Sequence, residues 1–277
     1  MDQISVLVRT YKGDDPDGLA ASIDSLLAQT RLPDEIVVVE DGPLTEPLEE
    51  TLATLEREAV VPIERVAHAE NQGNGAACRT GIEAATSDLV AIQDADDLAV
   101  PQRLEWSLEL LRATGADLVG GYIEEFEADP ERPHSRRTVP CEPAAIRQSA
   151  KLRNPINHTT VLARRQPILD VGNYRQLRLG EDYELWTRLL AAGYTFVNSP
   201  RVLAKVRAGP QMYRRRGGFT HVYGEFDLQR RLAATGFVSR PRAAANFVVR
   251  SAPKVAPNAV RGRIISTLLR DQQPTPS

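Results

Sequence analysis

Short apolar runs alternate with amphipathic segments along the first 100 positions of the chain. The runs are rich in Val and Ile, which is typical of buried strands. Between them, leucines recur at steps of three and four, which indicates helices with one apolar face. Strands that alternate with helices predict an α/β fold with a mostly parallel, doubly wound sheet. The predicted strands are 4–8, 36–39, 62–66 and 89–92, and the predicted helices are 19–27, 44–55 and 75–85.

The pattern becomes less regular after position 100. Leucine spacing predicts a helix at 104–111, and an apolar run predicts a strand at 117–122. Residues 127–151 are rich in Pro, Arg and acids and predict an irregular excursion across the surface. A loop at 171–179 precedes a helix that begins near Gly180, because acids in a first turn suit the helix dipole.

Polar residues follow three of the predicted strands. Thr10 and Tyr11 come after the first strand, Glu40 and Asp41 after the second, and the acids of 94–97 after the fourth. Ligands of doubly wound sheets bind beyond the carboxyl ends of the strands. We therefore expect these side chains to converge on one crevice.

Three carboxylates lie within four positions of one another, at Asp94, Asp96 and Asp97. Such neighbours repel one another unless water, a cation or basic side chains compensate their charge. Carboxylate oxygens are hard ligands that suit Mg²⁺ or Mn²⁺, and these metals commonly accompany substrate phosphates. The cluster therefore predicts a cation site. The alternative is a solvated acidic turn that caps the next helix.

The charge of the chain is unevenly distributed. The net charge is only −3, but residues 201–277 carry 15 Lys and Arg against three acids, a net of +12. This asymmetry suggests that the C-terminal part meets an anionic surface, either a membrane or a nucleic acid. The two cysteines form no disulfide framework. No signal peptide and no run of about 18 apolar residues is evident, so we expect an intracellular location.

Five short motifs, in this order, resemble those of the family 2 glycosyltransferases, and together they span residues 4–220. The resemblance implies a Rossmann-like GT-A fold over 1–220, followed by a basic helical extension over 221–277. Residues 154–160 and 212–218 are similar to the subgroup typified by amylovoran-biosynthesis enzymes, which build polysaccharides or lipid-linked glycans. The five motifs are Val8-Arg9-Thr10-Tyr11, Glu40-Asp41-Gly42, residues 71–81, Asp94-Ala95-Asp96-Asp97 and Gly180-Glu181-Asp182.

Two departures from the family pattern limit the resemblance. Glu40-Asp41 stands where the family often has two aspartates. The Gln-x-x-Arg-Trp signature of processive synthases is missing from the sequence, which disfavours processive polymerisation.

The resemblance implies a nucleotide-binding set at the strand ends. Asp41 would accept a hydrogen bond from the base, usually uracil, because a carboxylate is a strong acceptor for an imide N–H. Glu40 adjoins it, and Thr10 and Tyr11 would line the base and ribose pocket. The alternatives are a helix-capping role for Asp41 and simple packing for Thr10 and Tyr11.

The same resemblance implies different roles for the three acids of the cluster. Asp96 would ligate Mg²⁺ or Mn²⁺, Asp97 would be a second ligand, and Asp94 would orient the ribose or Arg79. Arg79 would face the donor diphosphate, or alternatively pair with an acid such as Asp94. Intramolecular salt bridges are the alternative for the acid cluster as a whole.

Asp182 matches the catalytic base of the family, which removes a proton from the acceptor hydroxyl during inverting transfer. Glu181 competes for this role, and both could be simple acids at a helix start. His158 is a candidate contact for acceptor or diphosphate, or a structural hydrogen-bonding residue. Arg215 and Arg216 could close over the diphosphate, or form a solvated basic run.

The sequence therefore predicts a metal-dependent, inverting glycosyltransferase. Its expected partners are a UDP-sugar and a glycan or polyprenyl-linked acceptor, without nucleic acid. Residues 258–270 could lie as a basic amphipathic helix on the cytoplasmic face of the membrane, or pack on the catalytic domain. The alternative functions are a sugar-nucleotide nucleotidyltransferase and a non-catalytic binder of anionic polymers. The first would carry a Gly-rich basic loop directly after the first strand, where this chain has Arg9-Thr10-Tyr11-Lys12.

Overall fold

The computed structural model of this chain describes residues 2–208, 219–255 and 272–273. A single large sheet runs through it, with helices packed on its faces. The strands are β1 Ile4–Thr10, β2 Glu35–Glu40, β3 Ile63–Ala67, β4 Leu89–Asp94, β5 Leu98–Ala99, β6 Leu118–Phe126, β7 Ser135–Arg137, β8 Leu162–Arg164, β9 Phe196–Arg207 and β10 Gln272–Gln273. The helices are α1 Pro16–Leu27, α2 Glu46–Glu58, α3 Asn74–Ala84, α4 Arg103–Thr114, α5 Pro143–Ser149, α6 Arg165–Asp170, α7 Glu181–Ala191, α8 Phe219–Ala234 and α9 Arg240–Val255.

The first half of the chain folds as the sequence pattern predicts. Strand β1 lies between β2 and β4, β3 lies outside β2, and all four strands are parallel. Their register pairs Thr10 with Glu40 and Arg9 with Asp94. The carboxyl ends of β1, β2 and β4 therefore meet at one edge of the sheet.

The second half contains elements that the pattern did not predict. The twelve-residue strand β9 runs parallel to β6 but has register shifts next to Tyr122. Strand β8 lies antiparallel between β4 and β6. The segment predicted to be irregular, 127–151, holds β7 and α5. Strands β7 and β8 are only three residues long, and β8 and β9 pair with strands that are distant in the chain, so local periodicity does not reveal them.

Alternation along the central strands divides the core between two faces of the sheet. Val6 and Val8 point to the face covered by α1, α2 and α4, whereas Leu7 points to the face covered by α3 and α7. At Gly81 of α3, an added Cβ would lie 2.0 Å from the Leu7 side chain, so this helix sits unusually close to β1. The close approach brings the N-terminal end of α3 towards the strand ends.

Helices α8 and α9 pack against α7 through a small separate cluster. Its buried members are Tyr183, Leu228, Leu232, Val238 and Ala243. No helix within the described ranges is long and apolar enough to cross a membrane. The tail predicted to be amphipathic, 258–270, lies outside the described residues.

Candidate active site

An open crevice of about 450 Å³ lies at the carboxyl edge of β1, β2 and β4. Its volume falls within the range of small-molecule sites. The structure thus brings together the strand-end residues that the sequence placed there. The residues that line it are Arg9, Thr10, Tyr11, Asp14, Asp41, Asn71, Gly73, Asn74, Ala77, Asp94, Ala95 and Asp96.

Asp41 holds the loop before α3 against the crevice. Its Oδ1 accepts a hydrogen bond from the backbone N–H of Gln72 at 2.7 Å, and its Oδ2 accepts one from Gly73 at 2.7 Å. The ring Nδ1 of His68 lies 3.0 Å from Oδ1. The carboxylate therefore shapes the wall of the crevice, and its Oδ2 retains capacity for a further donor.

Glu40 points away from Asp41, because neighbouring residues at a strand end face opposite sides of the sheet. Its carboxylate is buried and pairs with Arg65 at 2.5 Å. Glu40 is not among the crevice-lining residues, so the structure separates the two acids that the sequence grouped together.

Thr10 and Tyr11 differ in their exposure to the crevice. Thr10 is buried, whereas 40% of Tyr11 is exposed. The ring of Tyr11 covers Gly13, where an added Cβ would lie 2.6 Å from the ring atoms. Tyr11 therefore presents an aromatic surface at the mouth of the crevice.

Arg9 is the central cation of the site, and the sequence analysis did not select it. Its guanidinium forms an ion pair with Asp94 and donates a hydrogen bond to the Sγ of Cys78 at 2.8 Å. Only 9% of the side chain is exposed. The sequence did contain a signal for Arg9. This charged residue directly follows the apolar run of β1, and alternation along the strand turns its side chain towards α3.

Arg79, which the sequence pointed towards the diphosphate, lies elsewhere. It forms an ion pair at 3.1 Å with Glu83, one turn further along α3, and half of its side chain is exposed. Arg9 rather than Arg79 pairs with Asp94. Arg79 is not among the crevice-lining residues, whereas Arg9 is. Arg9 is therefore the arginine that brings a positive charge to the crevice.

The three acids after β4 face different environments. Asp94 and Asp96 line the crevice. Desolvation in the crevice, together with the charges of Asp94 and Asp14, raises the pKa of Asp96 to about 6, although the residue remains open to solvent. Asp97 is only 3% exposed, and its Oδ1 accepts a hydrogen bond from the backbone N–H of Arg207 at 3.2 Å. Asp97 therefore belongs to the scaffold of the turn.

The donor set fits a divalent cation held partly by its substrate. Among the described residues, no three His, Cys, Asp or Glu side chains form a metal-binding group. Asp96 is free of protein ion pairs within the described ranges, and Asp94 shares one oxygen with Arg9. One or two carboxylates completed by phosphate oxygens and water are an ordinary shell for Mg²⁺. Desolvation and the like charges of Asp94 and Asp14 raise the pKa of Asp96, and a bound cation would compensate this crowded negative charge.

The first turn of α7 carries the candidate base. Asp182 accepts a hydrogen bond at 2.6 Å from the side-chain amide of Asn154, and one at 2.7 Å from the backbone N–H of Tyr183. Burial, followed by the charge of Asp182, raises the pKa of Glu181. Neither Glu181 nor Asp182 is among the crevice-lining residues, but Arg9 and Asp94, which are, contribute to the shift of the Glu181 pKa, so this turn lies within reach of their charges. Asn154 was noted in the sequence only as part of a motif, not as a site residue.

His158 lies behind the site in an aromatic cluster. Its Nε2 is 2.9 Å from the hydroxyl of Tyr174, and its ring centroid is 6.0 Å from that of Trp186. Burial, and then the charge of Arg9, lowers the pKa of His158. These contacts are those of a structural histidine. Arg215 and Arg216 lie outside the described residues.

Comparison with known proteins identifies a family. Residues 5–172 match the sequence model of Glycosyl transferase family 2. Over 259 residues the chain is 33% identical to the amylovoran biosynthesis glycosyltransferase AmsE of Erwinia amylovora, covering 91% of this chain and 94% of that protein. Over 269 residues it is 29% identical to the UDP-Gal:alpha-D-GlcNAc-diphosphoundecaprenol beta-1,3-galactosyltransferase of Escherichia coli, covering 97% of each.

A solved structure shares the fold. The mannosyltransferase of Pyrobaculum calidifontis, in complex with GDP-Man and Mn²⁺, superimposes with a TM-score of 0.59 at 17% identity. The match covers 96% of this chain and 79% of that one. At this identity the likeness supports the architecture alone.

Proposed function

The chain belongs to glycosyltransferase family 2, and we propose that it is an inverting enzyme that transfers a sugar from a UDP-sugar to a glycan or polyprenyl-linked saccharide. Its sheet has the GT-A arrangement that the motifs implied. The observation that carries the proposal is the meeting of three strand ends at a crevice that contains the buried cation Arg9. A nucleotidyltransferase does not fit this family.

The donor nucleotide is proposed to bind over Asp41 and Tyr11. Among the described residues the Oδ2 of Asp41 accepts one hydrogen bond, so the imide N–H of uracil can be a second donor to it. The exposed ring of Tyr11 offers a stacking surface for the base. A UDP-sugar is also the donor in the name of the Escherichia coli relative.

The diphosphate is proposed to lie between Arg9 and Asp96. Arg9 is the one cation among the described lining residues of a crevice that otherwise carries the carboxylates of Asp14, Asp41, Asp94 and Asp96, so a diphosphate would bind here together with a cation. Asp96, with the free oxygen of Asp94, would hold Mg²⁺ or Mn²⁺. A divalent cation bound there would neutralise the diphosphate and stabilise it as the leaving group. The Mn²⁺ in the mannosyltransferase structure is consistent with this arrangement.

Asp182 is proposed as the general base. Asn154 fixes the orientation of its carboxylate through the hydrogen bond to Oδ2. Asp182 takes the proton of the acceptor hydroxyl while that oxygen forms a bond to the anomeric carbon. The bond between the anomeric carbon and the diphosphate oxygen breaks, and its electron pair leaves with the nucleoside diphosphate. Attack from the opposite face inverts the anomeric centre.

The acceptor is proposed to be a lipid-linked saccharide used from the cytoplasmic side of the membrane. The name of the Escherichia coli relative, which aligns over nearly its whole length, specifies a diphosphoundecaprenol-linked sugar. For this chain, a lipid-linked acceptor of that kind is part of the proposal.

A thermal-shift panel of nucleotide sugars, with and without Mn²⁺, tests the proposed function. A ligand that binds only the folded state raises the apparent unfolding temperature. We expect at least one UDP-sugar to raise it, and to do so more strongly with Mn²⁺. GDP-Man serves as a comparison for the base, and free UDP separates nucleotide from sugar recognition. A panel in which no nucleotide sugar shifts the transition would contradict the proposal.

A further inference from the structure

Helices α8 and α9 carry a set of large apolar side chains that are exposed or half-buried, here called the helix-pair surface. It comprises Tyr223, Phe226, Phe247, Val248 and Val249. Of the seven large apolar residues that are exposed in the described ranges, four belong to this surface. Phe226 and Phe247 contact each other edge to face, at 5.7 Å between centroids, beside a groove of about 610 Å³. Such a concentration of exposed apolar area marks an interaction site.

The buried side of the helix pair combines the apolar cluster around Leu228 and Leu232 with a group of polar side chains, whereas part of its outer side is apolar. Glu225, Gln229 and Asn246 are each only 2% exposed. They bond to one another and to Arg250 through side-chain contacts of 2.6 to 3.4 Å. On the outer side, Val248 is 65% exposed. These three side chains are paired with one another or with Arg250, so the exposed apolar side chains of the outer side are the feature that a partner would cover.

Arginines flank the apolar residues. Arg230 and Arg240 line the groove, Arg242 is exposed nearby, and no acid from the described part of the chain lines the groove. Neither Arg240 nor Arg242 forms an ion pair with a carboxylate of the described residues. Arg230 pairs with Asp227, whereas Arg240 and Arg242 keep their charge available beside the apolar side chains, which complements a surface with an apolar interior and negative headgroups.

We propose that the helix-pair surface docks on an anionic phospholipid bilayer. Phe226, Phe247 and Val248 enter the boundary of the acyl region, and Arg240 and Arg242 contact lipid phosphates. This site differs from residues 258–270, the tail that the sequence suggested for membrane contact.

The helix pair packs directly on the helix that carries the proposed base. Leu228 of α8 lies against Gly180, directly before α7, and Arg250 of α9 stacks over Tyr183 at 5.7 Å. Leu228 and Arg250 make these contacts from the inner side of the pair, so docking would hold the turn that carries Asp182 about one helix layer from the lipid surface. A sugar attached to a membrane lipid would emerge there. This last step rests on the proposed lipid-linked acceptor, whereas the bilayer contact itself does not.

Vesicle co-sedimentation of the full chain tests the proposal. Vesicles of phosphatidylethanolamine and phosphatidylglycerol should bind the protein, and vesicles of phosphatidylcholine should bind it much less. Because a basic residue near an anionic membrane contributes about 1 kcal/mol, the double variant Arg240→Gln/Arg242→Gln should lose roughly thirty-fold in partitioning. The matched control is Arg57→Gln/Arg132→Gln, which removes two exposed arginines elsewhere and should partition as the wild type does.

A second variant addresses the apolar part of the surface. Val248→Ser should lower partitioning on the order of fivefold, since it removes apolar area from the bound state. Val60→Ser changes a valine that is 76% exposed, at the end of α2, and should have no effect. Both positions are exposed, so neither substitution should prevent folding, which circular dichroism would verify.

Three outcomes would overturn the proposal. The first is wild-type partitioning in both helix-pair variants, since binding would then come from another segment. The second is equal binding to neutral and anionic vesicles. The third is a stable dimer that Val248→Ser converts to monomer, because a second copy would then cover the surface. Nucleotide-sugar thermal shifts measured without vesicles report on the proposed function separately, so failure of one can be told from failure of the other.

Discussion

Adjacent carboxylates at the start of α7 have different surroundings. Asp182 is oriented by Asn154, whereas burial and the charge of Asp182 raise the pKa of Glu181 and favour its protonated form. A general base must be ionised and must point at the proton that it removes. This difference in surroundings favours Asp182 over Glu181 as the general base.

We expect Asp182→Asn to lower the transfer rate by a factor on the order of 10² to 10⁴, because an amide cannot act as a base. Donor binding, followed by thermal shift, should be unchanged. Glu181→Gln is the matched control and should retain most of the activity. Full transfer activity in Asp182→Asn would exclude this residue as the base.

The metal role assigned to Asp96 leads to a separate prediction. Asp96→Asn should bind the nucleotide sugar with no added benefit from Mn²⁺, since an amide is a much weaker ligand for a hard cation. The measurement is the thermal shift at increasing Mn²⁺ with UDP-sugar held constant. Asp24→Asn removes an exposed carboxylate from the middle of α1 and should leave the Mn²⁺ response intact. An undiminished Mn²⁺ response in Asp96→Asn would place the metal elsewhere.

His158 should make stability dependent on pH. Burial, and then Arg9, lowers its folded-state pKa, while the charges of Asp182 and Asp94 oppose this. The unfolded chain therefore binds more protons than the folded one below the ordinary histidine pKa of about 6.5. The contribution to stability is complete above that pH and is lost as the pH falls.

Denaturant titrations between pH 5 and 8 would check this dependence. His158→Gln should flatten the acid limb of the stability profile, because glutamine does not titrate. His134→Gln alters an exposed histidine and should leave the profile as in the wild type. A profile that is identical in all three proteins would show that another group controls the acid limb.

At the scale of elements, α4 holds the turn that carries the acids. The guanidinium of Arg103 is fully buried and donates hydrogen bonds to Gln93 Oε1 at 2.5 Å and to the carbonyl of Ile92 at 2.6 Å. The amide of Gln93 donates to the carbonyl of Asp97, and Ser22 donates to that of Asp94. Both ends of the acid turn are therefore anchored to the interior.

Arg103→Met should destabilise the protein by about 3 kcal/mol, since it leaves buried acceptors unpaired and removes a charge near Asp97. The measurement is the denaturant midpoint at unchanged slope. Arg112 lies on the same helix, is half exposed and pairs with Asp2 at 2.7 Å. Arg112→Met should cost less than about 1 kcal/mol. Equal losses in the two variants would mean that the buried network does not stabilise the turn.

For the whole molecule, stability should be unevenly distributed. The central strands are buried between two extensive clusters, whereas α8 and α9 join the rest through the small cluster around Tyr183. Few buried apolar contacts permit local opening without global unfolding.

Hydrogen exchange should therefore be faster in α8 and α9 than in β1, β2 and β4, when followed by mass spectrometry on peptides from each element. Anionic vesicles should slow exchange in the helix pair and leave the central strands unchanged. Uniform protection across all of these elements would indicate a single cooperative unit instead.

Local sequence alone determined the first half of the fold and the location of the site. Apolar runs and leucine spacing depend on residues close in the chain, so they predicted the strands and helices of the first 100 positions. Parallel strands place their carboxyl ends at one edge of the sheet. This geometric rule alone predicted that Asp41 and Asp94 lie close together. The family followed from motif order.

Only the tertiary structure decided which of these residues face the crevice. Arg9 takes the place expected of Arg79, Asp97 turns inward to the backbone of Arg207, and Glu40 pairs with Arg65 on the other side of the sheet. Each outcome depends on a partner from another element, which local pattern does not contain. Strand β9 was missed for the same reason, since its pairing with β6 joins residues nearly 80 positions apart.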